Sequence, residues 1–122
     1  MAVKSCKEIT FDDFKQLAKN KQLSRYEKIG FPDSYRQDKE QTIFADIVSK
    51  LTNLTKKKQR VIDIGPGCSD LAFLLIETCR KQGHELILID SQEMLDFLQN
   101  DSFITKVAAY YPDECQGLLK KF

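Results

Sequence analysis

The chain has 122 residues, of which 42% are hydrophobic and 30% charged, and its formal net charge is +1. That bounds it to one domain with a modest core. It also argues against the strongly basic surface that duplex DNA or an anionic membrane selects. No apolar run approaches the roughly 18 residues that a membrane span needs. Met1 to Lys7 has no apolar signal core, so a cytoplasmic protein is expected. The four cysteines, Cys6, Cys68, Cys79 and Cys115, form no C-x-x-C pair, and His84 is the single histidine. Reduced thiols and no metal site are therefore expected.

In chain order, the first element reads as a helix. Thr10 stands as its N-cap, and Phe11, Phe14, Leu17 and Ala18 share one face. Gly30, Phe31, Pro32 and Asp33 break any helix. The segment from Gly30 to Arg36 reads as a packed connector or as a lid, in which Tyr35 packs on a ligand and Arg36 pairs with its carboxylate. A second helix follows, with Ile43, Phe44, Ile47, Val48 and Leu51 at three-to-four spacing and Asn53 as its stop. Lys56 to Arg60 is a basic connector, read as a solvated loop.

The pattern changes at Val61. Val61-Ile62-Asp63-Ile64 is short and β-branched, is bounded by Gly65-Pro66-Gly67, and reads as a buried strand. Ser69 caps a helix through Leu71, Phe73, Leu74, Leu75, Ile76 and Cys79, which Gly83 ends. His84 just beyond is expected to be exposed. Leu86-Ile87-Leu88-Ile89-Asp90 reads as a second buried strand. Ser91 then caps a short helix that buries Met94, Leu95, Phe97 and Leu98. Phe103 to Tyr111 suggests a third strand, and Pro112 permits a last short helix carrying Leu118 and Leu119. Strand-helix alternation of this kind means an α/β fold with a parallel sheet and right-handed crossovers. The expected order is 3-2-1. Residues 1–55 form an N-terminal helical segment, and 56–122 a partial, Rossmann-like unit.

The informative constellation is Asp63-Ile64-Gly65-Pro66-Gly67-Cys68-Ser69-Asp70, followed by Asp90. Two glycines let the backbone turn tightly and approach a ligand with no Cβ in the way. The next helix offers its free amides and positive dipole end to the same crevice. About twenty residues on, a carboxylate at the tip of the adjacent strand can accept hydrogen bonds from ribose hydroxyls. The parts describe a nucleoside pocket. A dinucleotide fingerprint wants a third glycine where this chain has Asp70, whose carboxylate would repel a pyrophosphate, so NAD is the lesser reading. Asp63 and Asp90 also have plain readings, as a loop-amide cap and a helix-capping acid. Cys68 reads as a small loop residue with no histidine placed to activate it.

Val61 to Ser69 resembles motif I of class I S-adenosylmethionine-dependent methyltransferases, and Leu88-Ile89-Asp90 resembles the acidic end of their second strand. The resemblance covers residues 61 to about 111. It implies that Gly65 and Gly67 let the backbone lie under the methionine part of S-adenosylmethionine, in a cofactor-binding loop that also includes Pro66, Cys68 and Ser69. It implies further that Asp63 holds the loop and the ligand's amino group, that Asp90 binds the ribose, and that Ser91 or Gln92 lies near the adenine. Ser69 stands where the family's third glycine usually does.

A complete enzyme of that class has about seven strands, so this chain is expected to be its truncated, cofactor-binding front half, without a full acceptor site or an assignable catalytic base. The strand Val61 to Ile64 is then expected to leave one edge unpaired and to join a homodimer through it. The alternative is a non-catalytic interaction module that keeps the fold.

Overall fold

The computed structural model describes residues 9–115 and 117. Helix α1 runs Phe11–Lys19. Its cap is a reciprocal box, with the Thr10 side chain accepting from the Asp13 amide and the Asp13 carboxylate accepting from the Thr10 amide. A 3-10 turn at Glu27–Ile29 ends on left-handed Gly30. The short α2, Asp33–Arg36, starts after Pro32, and α3 spans Glu40–Lys50. A second 3-10 turn, Thr52–Thr55, leads to strand β1, Arg60–Ile64. Then come α4 (Asp70–Gln82), β2 (Glu85–Asp90), α5 (Gln92–Leu95) and β3 (Ile104–Ala108).

The expected parallel α/β sheet is present, with strand order β1-β2-β3. Val61 lies opposite Leu86 and Asp63 opposite Leu88, while Asp90 lies opposite Ala108 on the far side. The central strand β2 is buried on both faces, which is why its sequence is an unbroken apolar run. On one face Leu86 and Leu88 pack with Ala72, Ile76 and Cys79 of α4 and with Leu95 and Leu98. On the other, Ile87 and Ile89 meet Val107, Ala109 and Cys115. Each buried aliphatic side chain here contributes about 1.5–3 kcal/mol. The third strand is shorter than the expected 103–111. The expected C-terminal helix falls largely outside the described residues, as does Cys6.

Three expectations fail. β1 is not buried: Ile62 and Ile64 are 39% and 44% exposed, because nothing among the described residues pairs with its outer edge. Phe97 is exposed at 45%, having turned out of the core beyond the last turn of α5. His84 is fully buried. Its Nδ1 accepts the Gln59 amide at 2.8 Å and its Nε2 lies 2.9 Å from the Leu54 carbonyl. A ring that accepts on Nδ1 donates on Nε2, so the neutral tautomer ties β1's entry to the 3-10 turn before it. The apolar stripe of α3 is also only half-buried, and the buried residue of that helix is Glu40.

Among the described residues no helix is long and apolar enough to cross a membrane.

Candidate functional site

The carboxyl ends of the three parallel strands open into one crevice, the usual place for a ligand in such sheets. Gly65 leaves β1 while its amide still donates to the Ile89 carbonyl, at 2.8 Å. Both loop glycines are left-handed, Gly65 at φ +71° and Gly67 at φ +69°. At Gly67 a side chain has no room either: a Cβ would sit 2.7 Å from Cγ2 of Ile29. Nothing lies within 4 Å of a Cβ built on Gly65, which faces open space.

Asp90, at the tip of β2, closes the arrangement. One carboxylate oxygen accepts the Gly67 amide at 3.0 Å and the other accepts its neighbour Ser91's amide at 2.7 Å. Burial pushes the Asp90 carboxyl above its ordinary range, against the downward pull of those two amides. A carboxylate oxygen carries two lone pairs, so each retains one for a further donor. Asp90 is thus both a loop anchor and an acceptor short of donors.

Around this pair lies a cavity of 380 Å³. Gly65, Pro66 and Gly67 line it together with Asp90, and β1 and β2 add Ile64 and Ile89. The N-terminal segment supplies Phe11, Phe14, Ile29 and Phe31, and the residues after β3 supply Tyr110 and Tyr111. The Phe11 and Tyr110 rings meet edge to face, 4.9 Å between centroids, and link the two flanks. The size and the mainly apolar lining with a few convergent polar groups are those of a small-molecule pocket.

Ser69 heads α4 as expected, but its hydroxyl makes no capping bond. That hydroxyl is buried without a hydrogen-bond partner and lines the cavity. The helix end is satisfied by a residue the sequence did not single out. Buried Glu40 accepts the Leu71 amide on one oxygen and pairs with Arg36 on the other, both at 2.7 Å. Arg36 stacks over Phe31, with 4.2 Å to the ring centroid, and reaches the cavity wall. Tyr35 beside it is 65% exposed and takes no part in the wall.

Asp70 opens α4 and is held by the N-terminal segment: Arg25 Nε donates to it at 2.8 Å and the Tyr26 hydroxyl at 2.7 Å. Against its partial burial, these bonds hold the Asp70 carboxyl below the usual range.

The remaining expected residues fall elsewhere. Asp63 lines a second cavity of 240 Å³, beside α3, and not the first. Burial, and after it the charge of Asp90, push its carboxyl up to about 6. Cys68 is packed with Ala18 and Met94 under the loop, where burial raises its thiol to about 11 and leaves it inert. Ser91 is buried and caps α5 through the Met94 amide, and Gln92 donates to Asp96. Neither lines the cavity. Among the described residues no cluster of His, Cys, Asp or Glu is placed to hold a metal ion.

The chain matches no family model, no curated protein and no solved structure.

Proposed function

We propose that this chain binds S-adenosylmethionine in the cavity between the glycine loop and Asp90, as the cofactor-binding unit of a class I, Rossmann-like methyltransferase. The observation that carries the reading is the direct bond between the Gly67 amide and Asp90, which sets a glycine turn and a strand-tip acid into one crevice. The unpartnered Ser69 hydroxyl and the open space over Gly65 are what a ligand laid along the loop would fill.

When bound, the cofactor supplies an already activated methyl group on its sulfonium. The chain's own residues do the rest of the binding work. Gly65 lets the ligand approach the backbone, and Ser69 offers a donor and an acceptor beside it. Asp90 takes the ribose hydroxyls on its remaining lone pairs. Arg36, one of whose nitrogens is committed to Glu40, turns its other donors toward a carboxylate. Phe11, Phe14, Phe31 and Tyr110 exclude water from the adenosine. No side chain is assigned to the transfer step or to the methyl acceptor.

A dinucleotide fits less well. The Asp70 carboxylate is fixed at the first turn of α4, where a pyrophosphate would need the helix end free. Calorimetry on the whole chain with S-adenosylmethionine, S-adenosylhomocysteine and NAD tests the reading. Binding of the first two at about micromolar Kd, abolished in the double variant Gly65→Ala, Asp90→Ala, is the expected result. Preference for NAD, or no binding of either sulfur compound, overturns it.

A further inference from the structure

The amino end of α4 carries two groups whose bonding capacity the fold leaves unused. The first is the Ser69 hydroxyl. Ser69 heads the helix and is 1% exposed, yet its hydroxyl neither caps the helix nor finds another partner among the described residues. A buried hydroxyl left so costs the fold stability that an alanine would not. Ser69 also lines the cavity beside the glycine loop, so a molecule entering that cavity is placed to partner it. The helix it heads is 13 residues long, and its dipole sets positive potential at this end.

The second group is the Arg36 guanidinium. Its Nη1 donates to one oxygen of Glu40, whose other oxygen accepts the Leu71 amide in the first turn of α4. That bridge holds Arg36 at the same helix end, with its guanidinium carbon 4.2 Å from the centre of the Phe31 ring. The side chain is 18% exposed and lines the same cavity as Ser69. Of the five N–H donors of a guanidinium, the described residues use one.

A helix end, a guanidinium and a free hydroxyl together call for an anion. The acids nearby are already engaged: Glu40 in this bridge, Asp70 with Arg25 and Tyr26, and Asp90 with two amides. A carboxylate fits, being planar, singly charged and able to take paired bonds from a guanidinium. A phosphate dianion would bring a second charge against Glu40 and Asp70. An ammonium would be repelled by Arg36 and by the helix end. Building on the cofactor reading, we propose that Ser69 and Arg36 form a carboxylate subsite. Through it the cavity selects adenosyl ligands that end in a free amino-acid carboxylate over those that lack one. The Ser69 hydroxyl donates to the carboxylate, and the unused donors of Arg36 complete its shell. Ser69 stands where the family it resembles usually has glycine, so this contact is not one that the resemblance implies.

The test compares S-adenosylhomocysteine with its decarboxylated analogue, which keeps the adenosine, the sulfur and the amino group. In calorimetry on the whole chain the first is expected to bind about a hundredfold more tightly, from two charge-assisted contacts at about tenfold each. Ser69→Ala is expected to weaken S-adenosylhomocysteine about tenfold and to leave the analogue within about twofold. The same variant should unfold in denaturant no earlier than the parent, because the free chain loses no hydrogen bond. Arg36→Lys keeps a charge for Glu40 but loses the planar fork, and should bring the two ligands within about tenfold of each other. Equal affinity of the parent for both ligands overturns the subsite and leaves the cofactor reading standing. Binding of neither overturns both. An equal loss of both ligands in Ser69→Ala would make the residue structural and overturns the subsite. A Ser69→Ala chain clearly less stable than the parent overturns it too, since the hydroxyl would then already be bonded within the protein.

Discussion

The Gly67 amide donates to the Asp90 carboxylate across 3.0 Å, and the same glycine has no space for a Cβ because Ile29 lies against it. One residue therefore joins the tip of β2, the loop after β1 and the N-terminal segment. The two loop glycines are not equivalent, and their alanine variants separate structure from binding. Gly67→Ala sets a methyl group 2.7 Å from Ile29 in a left-handed conformation, so a loss of several kcal/mol in denaturant unfolding is expected. Adding Ile29→Ala should recover part of it. Gly65→Ala meets no neighbouring atom and should cost only about 1 kcal/mol of backbone strain, yet weaken S-adenosylhomocysteine binding by at least about tenfold.

Asp90 serves two amides, and its variants should show which matters. Asp90→Ala leaves the Gly67 and Ser91 amides without their acceptors, at a cost of about 2–4 kcal/mol. Asp90→Asn keeps one acceptor oxygen but turns an NH2 group toward the other amide, so a smaller loss is expected, with cofactor binding still impaired. Because the Asp90 carboxyl is raised and its charged form is the better acceptor of ribose hydroxyls, affinity should fall as pH falls through its titration. Calorimetry carried from pH 8 into the acid range as far as the chain stays folded reads this directly, and an affinity that does not fall there, or that falls equally in Asp90→Asn, would remove Asp90 from the binding site.

Much of this site was legible in the sequence because its signals are local. Thr10, Ser91 and Gly83 mark helix ends through bonds to residues a turn away, and a β-branched run before two glycines leaves few alternatives to strand and loop. What was not legible depends on partners far along the chain. His84 is buried by Gln59 and Leu54, 25 and 30 residues off, and no spacing rule links them. Glu40 carries no signal of its own in the sequence, although its carboxylate is the cap of α4, 31 residues on. The run Val61 to Ile64 carries the composition of a buried strand, and its exposure follows instead from the unpaired outer edge that the count of strands leads one to expect among the described residues. Strand alternation, finally, sends Asp63 to the α4 face of the sheet, so the motif's first acid and Asp90 line different cavities.

Glu40 gives a prediction of its own. Its side chain is fully buried between the Leu71 amide and Arg36. Glu40→Ala orphans both and is expected to cost about 3–5 kcal/mol, the penalty for breaking one partner of a buried pair. Glu40→Gln keeps an acceptor for Leu71 and should cost less, while leaving Arg36 without its counter-charge. Chemical denaturation of both variants decides the order. An alanine variant as stable as the glutamine one would show that this carboxylate does not hold the helix end.

Asp63 should make the fold more stable in mild acid. Its carboxyl titrates at about 6 in the folded chain, against 3.8 for the ordinary group. Between those values the folded state holds a proton that the unfolded state has lost, so stability rises as pH falls from above 6 toward 4 and is lost again on the way back. The linkage is on the order of 2–3 kcal/mol. Its cause is burial of a charge with no counter-ion, and the nearby Asp90 carboxylate adds to it. Asp63→Asn removes that charge and keeps the shape. It is therefore expected to stabilise the chain at pH 7.5 by about 1–3 kcal/mol and to flatten the gain between pH 6 and 4, leaving the part that Asp90 contributes in the same direction. Urea unfolding of both proteins at pH 7.5, 6 and 4.5 measures this. A variant less stable than the parent at pH 7.5 would mean that the ionised Asp63 is stabilising, and the burial account of its raised carboxyl would be wrong.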